Sequence, residues 1–299
     1  MRSVNIILWL CLAAALPATG ADDRPRVTVS IAPQAWLIEW LAGDAVDLAV
    51  ALAPGESPAT YDPTPRRLAE LFDTQLYLGV GVPMERVLLP RLREGKRNTR
   101  VVDLALDVTR LAIHAHAHDH DHDDAEMHET GFDPHVWLSP RRMKIMAGAA
   151  AAALAEQTPA LAGVLETNLQ RLNAELDSLD ASVAAALAPA AGRTMFVFHP
   201  AFGYLAHDYG FTQRAVEKDG LPPSPRHLAT VLSEIRAQGA AAVFVQPQSA
   251  SAQLRAVAEA EGLTVVVLDP LARDYARNLR EMAAAIGAAL APAAGEVAP

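Results

Sequence analysis

The chain has 299 residues, with 25 Lys or Arg against 35 Asp or Glu and a formal charge of −10. That acidic balance argues against nucleic-acid binding. Hydrophobic residues make up 51%, enough for a sizeable core, and the length points to two domains.

Residues 1–21 read as a signal peptide. Arg2 is a minimal basic start, Ile6 to Ala15 form an apolar run, and Pro17 to Ala21 offer small residues for cleavage. The run is too short for a comfortable membrane span, and no other stretch approaches it, so a soluble exported chain is expected. Cys11 lies inside the run. A lipidated cysteine would need a small residue before it, and Leu10 is a poor fit. Because Cys11 is the sole cysteine, cleavage leaves no disulfide and no thiolate ligand. Any tight metal site must use nitrogen and oxygen.

Residues 22–157 read as an N-terminal α/β lobe. Its strand candidates are Arg26–Ile31, Val46–Leu52, Gln75–Gly79 and Arg100–Leu104, alternating with helical patterns as in parallel α/β units. Near the lobe's end, loop 114–130 carries His114, His116, His118, His120, His122 and His128, six of the chain's ten histidines. Asp119, Asp121, Asp123 and Asp124 interleave them. So polar a tract has nothing to bury and suits several weak metal sites, although a merely solvated loop would read the same way.

Residues 158–190 read as one long linker helix. Thr158 is the expected N-cap and Pro159 suits the first helical position. Leu161, Leu165, Leu169, Leu172, Leu176, Leu179, Val183 and Leu187 recur at spacings of three and four. Thirty helical residues span about 45 Å. Such a stripe serves either as a coiled-coil seam or as a strut between lobes, and the flanking α/β patterns favour the strut. Residues 191–299 repeat the α/β alternation, with strands expected at Thr194–Phe198, Thr212–Val216, Ala241–Val245 and Thr264–Leu268. The expected fold class is therefore α/β, with two Rossmann-like lobes of parallel sheet joined by a rigid helix.

Three further residues fit a divalent ion. His199 follows the strand TMFVF, and Asp269 follows TVVVL. Ligands of open α/β sheets gather at the carboxyl ends of strands, so both should face one crevice. His135, in FDPHVWLSP, stands just ahead of a helix opened by Ser139 and Pro140. Each has a quieter reading, as a hydrogen-bonded histidine or an Asx turn. His207 and His227 lie in helical stretches and read as surface residues.

In order along the chain, SIAPQAWL, GESPATYDPTP, DPHVWLSP, FVFHPAFGY, PSPRHL, FVQPQ and LDPLARDY occur. Together they resemble the zinc-binding solute receptors of bacterial ABC importers, a group that includes manganese receptors and metal-binding adhesins. The resemblance implies two lobes clasping one ion, with His135 as the second ligand, His199 as the third and Asp269 as the fourth. Manganese receptors usually carry Glu at the place of His199, so Zn2+ is the implied ion. The implied first ligand, a histidine, falls on Ala59, which coordinates nothing. Water, a carboxylate from Glu56 or Asp62, or a loop histidine would have to complete the site; water needs no extra geometry. Gln246 stands where the family often has Glu and is given no ligand role.

The implied function is high-affinity zinc capture in the periplasm by a monomer that delivers to an ABC permease and its ATPase. A zinc buffer or metallochaperone is the nearest alternative, with a manganese receptor or zinc hydrolase further off. The chain has no HExxH, and its histidine tract misses the HxHxDH pattern, so it is not read as an enzyme.

Overall fold

Short β-branched runs have become two parallel sheets. A computed structural model describes residues 24–94, 98–112, 131–217, 223–248 and 252–292. The expected signal peptide, residues 1–21, and all six loop histidines, His114, His116, His118, His120, His122 and His128, lie outside the described residues.

In the N-terminal half, β1 (Arg26–Val29), α1 (Ala32–Ala42), β2 (Asp47–Val50), α2 (Pro65–Leu71), β3 (Leu76–Gly79), α3 (Met84–Arg93) and β4 (Arg100–Asp103) alternate, followed by α4 (Pro140–Gln157). The C-terminal half runs β5 (Thr194–Val197), α6 (Gly203–Tyr209), β6 (Thr212–Ala215), α7 (Pro225–Ala237), β7 (Ala242–Val245), α8 (Ala252–Ala260), β8 (Thr264–Val267) and α9 (Tyr275–Leu290), with α5 (Ala162–Leu187) between the halves. Both sheets are wholly parallel, ordered β2-β1-β3-β4 and β6-β5-β7-β8. In each, the chain changes direction across the sheet beside the second strand in order. That reversal opens a crevice at the carboxyl ends of the strands.

Every expected strand is present, one to three residues shorter than its apolar run. The trailing Leu104, Phe198, Val216 and Leu268 still donate their amides to a neighbouring strand, and Leu52 to Ser30 just past β1, at 2.8–3.0 Å. They are the residues from which each chain segment turns into the crevice.

Ser139 caps α4 as expected, its Oγ accepting from Arg142 N at 3.3 Å, with Pro140 at the first helical position. Thr158 does not cap the long helix. A 3-10 turn, Pro159–Leu161, intervenes, closed by Leu161 N donating to the Thr158 carbonyl at 2.9 Å rather than to its hydroxyl. Regular α-helix therefore spans Ala162–Leu187, with a second 3-10 turn, Ala188–Ala190, after it.

The leucine stripe of α5 is covered within the chain, which accounts for it without a coiled-coil partner. Leu165, Leu172, Leu176, Leu179, Val183 and Leu187 are all buried in a core that draws on both halves. The stripe packs against α1 and α4 on one side and α9 on the other. Burial of six such side chains is worth on the order of 10 kcal/mol before conformational entropy is subtracted. The α9 contact is backbone-close: a Cβ on Gly287 would overlap the Ala186 carbonyl. Polar ties reinforce the packing, with Asn168 donating to the Leu41 carbonyl and Arg280 to Glu175. No helix among the described residues is long and apolar enough to cross a membrane.

Candidate metal centre

His135 and His199 come from opposite halves and meet with ring centroids 5.3 Å apart at an interplanar angle of 73°. A metal–nitrogen bond of about 2.0–2.1 Å in tetrahedral geometry places two imidazole centroids on one ion roughly 5 Å apart. The observed separation fits a shared cation.

Each ring is oriented by a carboxylate. Asp133, buried at 4% exposure, uses Oδ1 to accept the His135 backbone N–H at 2.9 Å and to bond His135 Nδ1 at 2.7 Å. Glu217 Oε1 lies 2.6 Å from His199 Nδ1. An ionised carboxylate only accepts, so the hydrogen is assigned to Nδ1, and in the neutral ring Nε2 is the nitrogen with a lone pair to offer. That carboxylate–imidazole pairing is the usual support for a metal-binding histidine.

The sheet explains how His199 is placed. It follows β5, while Glu217 follows the neighbouring β6 and Gln246 follows β7 on the other side. Gln246 Nε2 donates to the His199 carbonyl at 2.8 Å, and the His199 N–H donates weakly to Gln246 Oε1 at 3.4 Å. The two strands flanking β5 therefore hold His199 by ring and by backbone. A glutamate at 246, when ionised, would lack the amide donor.

His135 sits at the start of a 3-10 turn, Val136–Leu138, that leads into α4. Trp137, fully buried and 5.2 Å from the His135 ring, donates Nε1–H to the Pro270 carbonyl at 2.8 Å. This bond links the His135 turn to the segment that carries Asp269.

Asp269 is otherwise engaged. Its Oδ1 accepts the Leu271 N–H at 3.0 Å, closing an Asx-type turn, and Gln248 Nε2 at 3.2 Å. Among the described residues, no three His, Cys, Asp or Glu side chains form a group able to hold one ion. The structure thus joins two of the three residues singled out and leaves Asp269 lining a cavity of about 540 Å³, together with Gly55, Glu56, Gln248 and Arg273. Ala59 is exposed, its N–H donating to Ser57 Oγ at 3.3 Å. Glu56 accepts the Ala53 N–H at 2.9 Å, whereas Asp62 does not line the cavity. His207 is exposed as expected, and His227 is half-buried on α7; neither joins the pair.

Residues 27–289 match the family described as zinc-uptake complex component A, periplasmic. The chain belongs to this family. It has relatives named for metal. It is 29% identical over 82% of both chains to a high-affinity zinc uptake system protein, ZnuA, of Yersinia pestis. It is 27% identical to a putative metal-binding protein of Chlamydia trachomatis, over 94% of this chain and 99% of that one. Among solved structures, a crystal structure of ZnuA superposes with a TM-score of 0.80 at 33% identity, covering 90% of this chain and all of the other. A ZnuA deletion mutant with zinc bound matches equally well, at 32% identity over 91% of this chain and 100% of that one. These relatives are named as metal-binding and uptake proteins, not as enzymes. Within this family member, Asp133, Glu217 and Gln246 were not singled out by sequence as supports of the site. Only the two-residue spacing of Asp133 and His135 offered a local signal.

Proposed function

We propose that this protein captures zinc in the periplasm and delivers it to an ABC permease driven by its ATPase. The observation that carries the reading is the pair His135 and His199, 5.3 Å apart, each with Nδ1 on a carboxylate. Two imidazole nitrogen donors favour zinc over manganese, which prefers oxygen.

Asp269 is proposed as the third ligand. Its turn bond to Leu271 N would have to loosen, or its second oxygen turn inward, as the Pro270–Trp137 link draws the segment toward His135. Water takes the place that Ala59 leaves, with Glu56 as the nearest carboxylate rival, since it lines the same cavity as Asp269. His114, His116, His118, His120, His122 and His128 serve as a low-affinity collector. The receptor works as a monomer, with its leader, residues 1–21, removed on export.

The test is zinc calorimetry on a chain lacking residues 114–128, with and without the double change His135→Ala/His199→Ala. Tight binding should vanish with the two imidazoles. Nanomolar capture that survives their removal would end this reading.

A further inference from the structure

Asp133, which orients His135, is itself held from the opposite half of the chain. Tyr204 is fully buried in the first turn of α6. Its hydroxyl accepts the Leu111 N–H at 3.1 Å and donates to the Asp133 carbonyl at 2.9 Å. The adjacent Gly203 lies so close to the Asp133 carboxylate that a Cβ there would overlap Oδ2.

The same contact is braced on both sides. The Arg142 guanidinium sits 4.7 Å from the Tyr204 ring centroid and pairs with Asp208, also on α6. Asp133 N donates to the Leu111 carbonyl at 2.8 Å, and Ala112 and Phe132 form an isolated antiparallel bridge just beyond it. Asp133 is thus fixed at its amide by its own half and at its carbonyl by the other, with Gly203 walling in its Oδ2.

We infer that Gly203 and Tyr204 are positioning residues for zinc capture, holding Asp133 from across the lobe boundary so that its Oδ1 sets the His135 ring before the ion arrives. The inference rests on His135 being a zinc ligand. Its physical basis is preorganisation: a ligand whose support is already fixed loses less rotational freedom on binding. Tyr204 does not touch the ion, and its effect passes entirely through Asp133.

The experiment uses the full chain, zinc affinity read by competition with a tight chelating dye, and nitrogen-15 spectra of the His135 ring in the zinc-free protein. Tyr204→Phe should weaken zinc roughly tenfold, the lower end for loss of a supporting contact, and lower the share of His135 carrying its hydrogen on Nδ1. Gly203→Ala should weaken zinc at least as much, although alanine is the better helix former, because its methyl group turns the Asp133 carboxylate. Tyr209→Phe is the control: it removes a hydroxyl bonded to Asp180 at 2.6 Å on the same helix, and should leave affinity within about twofold. If His135→Ala abolishes tight binding while Tyr204→Phe and Gly203→Ala do not weaken it, the latch is refuted. An equal loss in Tyr209→Phe would refute it too, as a general stability effect. Tight binding retained in His135→Ala would remove the ligand assignment itself, and the latch with it.

Discussion

Glu217 reaches His199 from the strand next door, with its Oε1 2.6 Å from Nδ1 and its own N–H donating to the Phe198 carbonyl at 3.0 Å. The bond fixes which nitrogen of His199 faces the cleft and raises the basicity of that nitrogen. Glu217→Gln keeps an acceptor but removes the charge. Zinc affinity should fall about tenfold, and Glu217→Ala should cost more, within the roughly 10–100-fold range for such supports. Calorimetry checks both, and unchanged affinity in the alanine variant would show that His199 needs no such partner.

Asp269 has two readings that one substitution separates. Asn at 269 retains an oxygen for Leu271 N, so the turn closed at 3.0 Å survives. What it loses is the anionic donor. If Asp269 ligates zinc, Asp269→Asn should weaken binding at least tenfold, on the order of 1.4 kcal/mol, with little change in the unfolding midpoint. Equal affinity would leave Asp269 a turn residue only.

Removing residues 114–128 should leave one tight zinc site while abolishing additional weak binding in the titration. As a collector, the six imidazoles of that tract would act as separate low-affinity donors, with protons competing against metal for each. A stoichiometry identical to the full chain would refute the collector role.

Glu85 gives the fold a pH dependence that is independent of metal. Burial raises its carboxyl above the ordinary value of 4.5, a shift that hydrogen bonds from Ser30, Val80 and Gly81 only partly offset. With the folded value raised, the native state holds the proton longer than the unfolded chain. The stabilising contribution is complete below about 4.5 and is lost as pH rises through the raised value. Urea midpoints across that window should show the decline in the native protein and a flatter profile in Glu85→Gln. Parallel profiles would mean that Glu85 does not titrate differently on folding.

Gly287→Ala should destabilise the protein by about 1–3 kcal/mol, the usual penalty for overpacking, because the new methyl group meets the Ala186 carbonyl. Chemical denaturation measures it. The zinc affinity of the folded fraction should not change, since the contact lies on the α5–α9 seam.

The strands were legible because β-branched runs alternate with helical periods, and the Ser139 cap because its chemistry is local. Strand ends were less so: Leu52 and Leu268 are as apolar as Val50 and Val267 in the ladders before them, and more buried, so hydropathy cannot mark where pairing stops. His135 and His199 were found from their places at element ends. Their supports were not. Glu217 lies 18 residues from His199, and Tyr204 lies 71 from Asp133, separations that only the folded sheets bring together. Asp269 was legible equally as ligand and as turn residue, because one carboxylate oxygen satisfies either role.

The helix Ala162–Leu187 is glued along its length to both halves, by leucines on its inner side and by Asn168 and Glu175 at its flanks. A molecule welded along such a keel cannot announce its cargo by snapping shut like a jaw. If it carries zinc as proposed, the difference between laden and empty would be written in the small segments bordering the mouth, around Gly55 and Asp269. A docking permease would have to read that difference by touch at the rim rather than by overall shape.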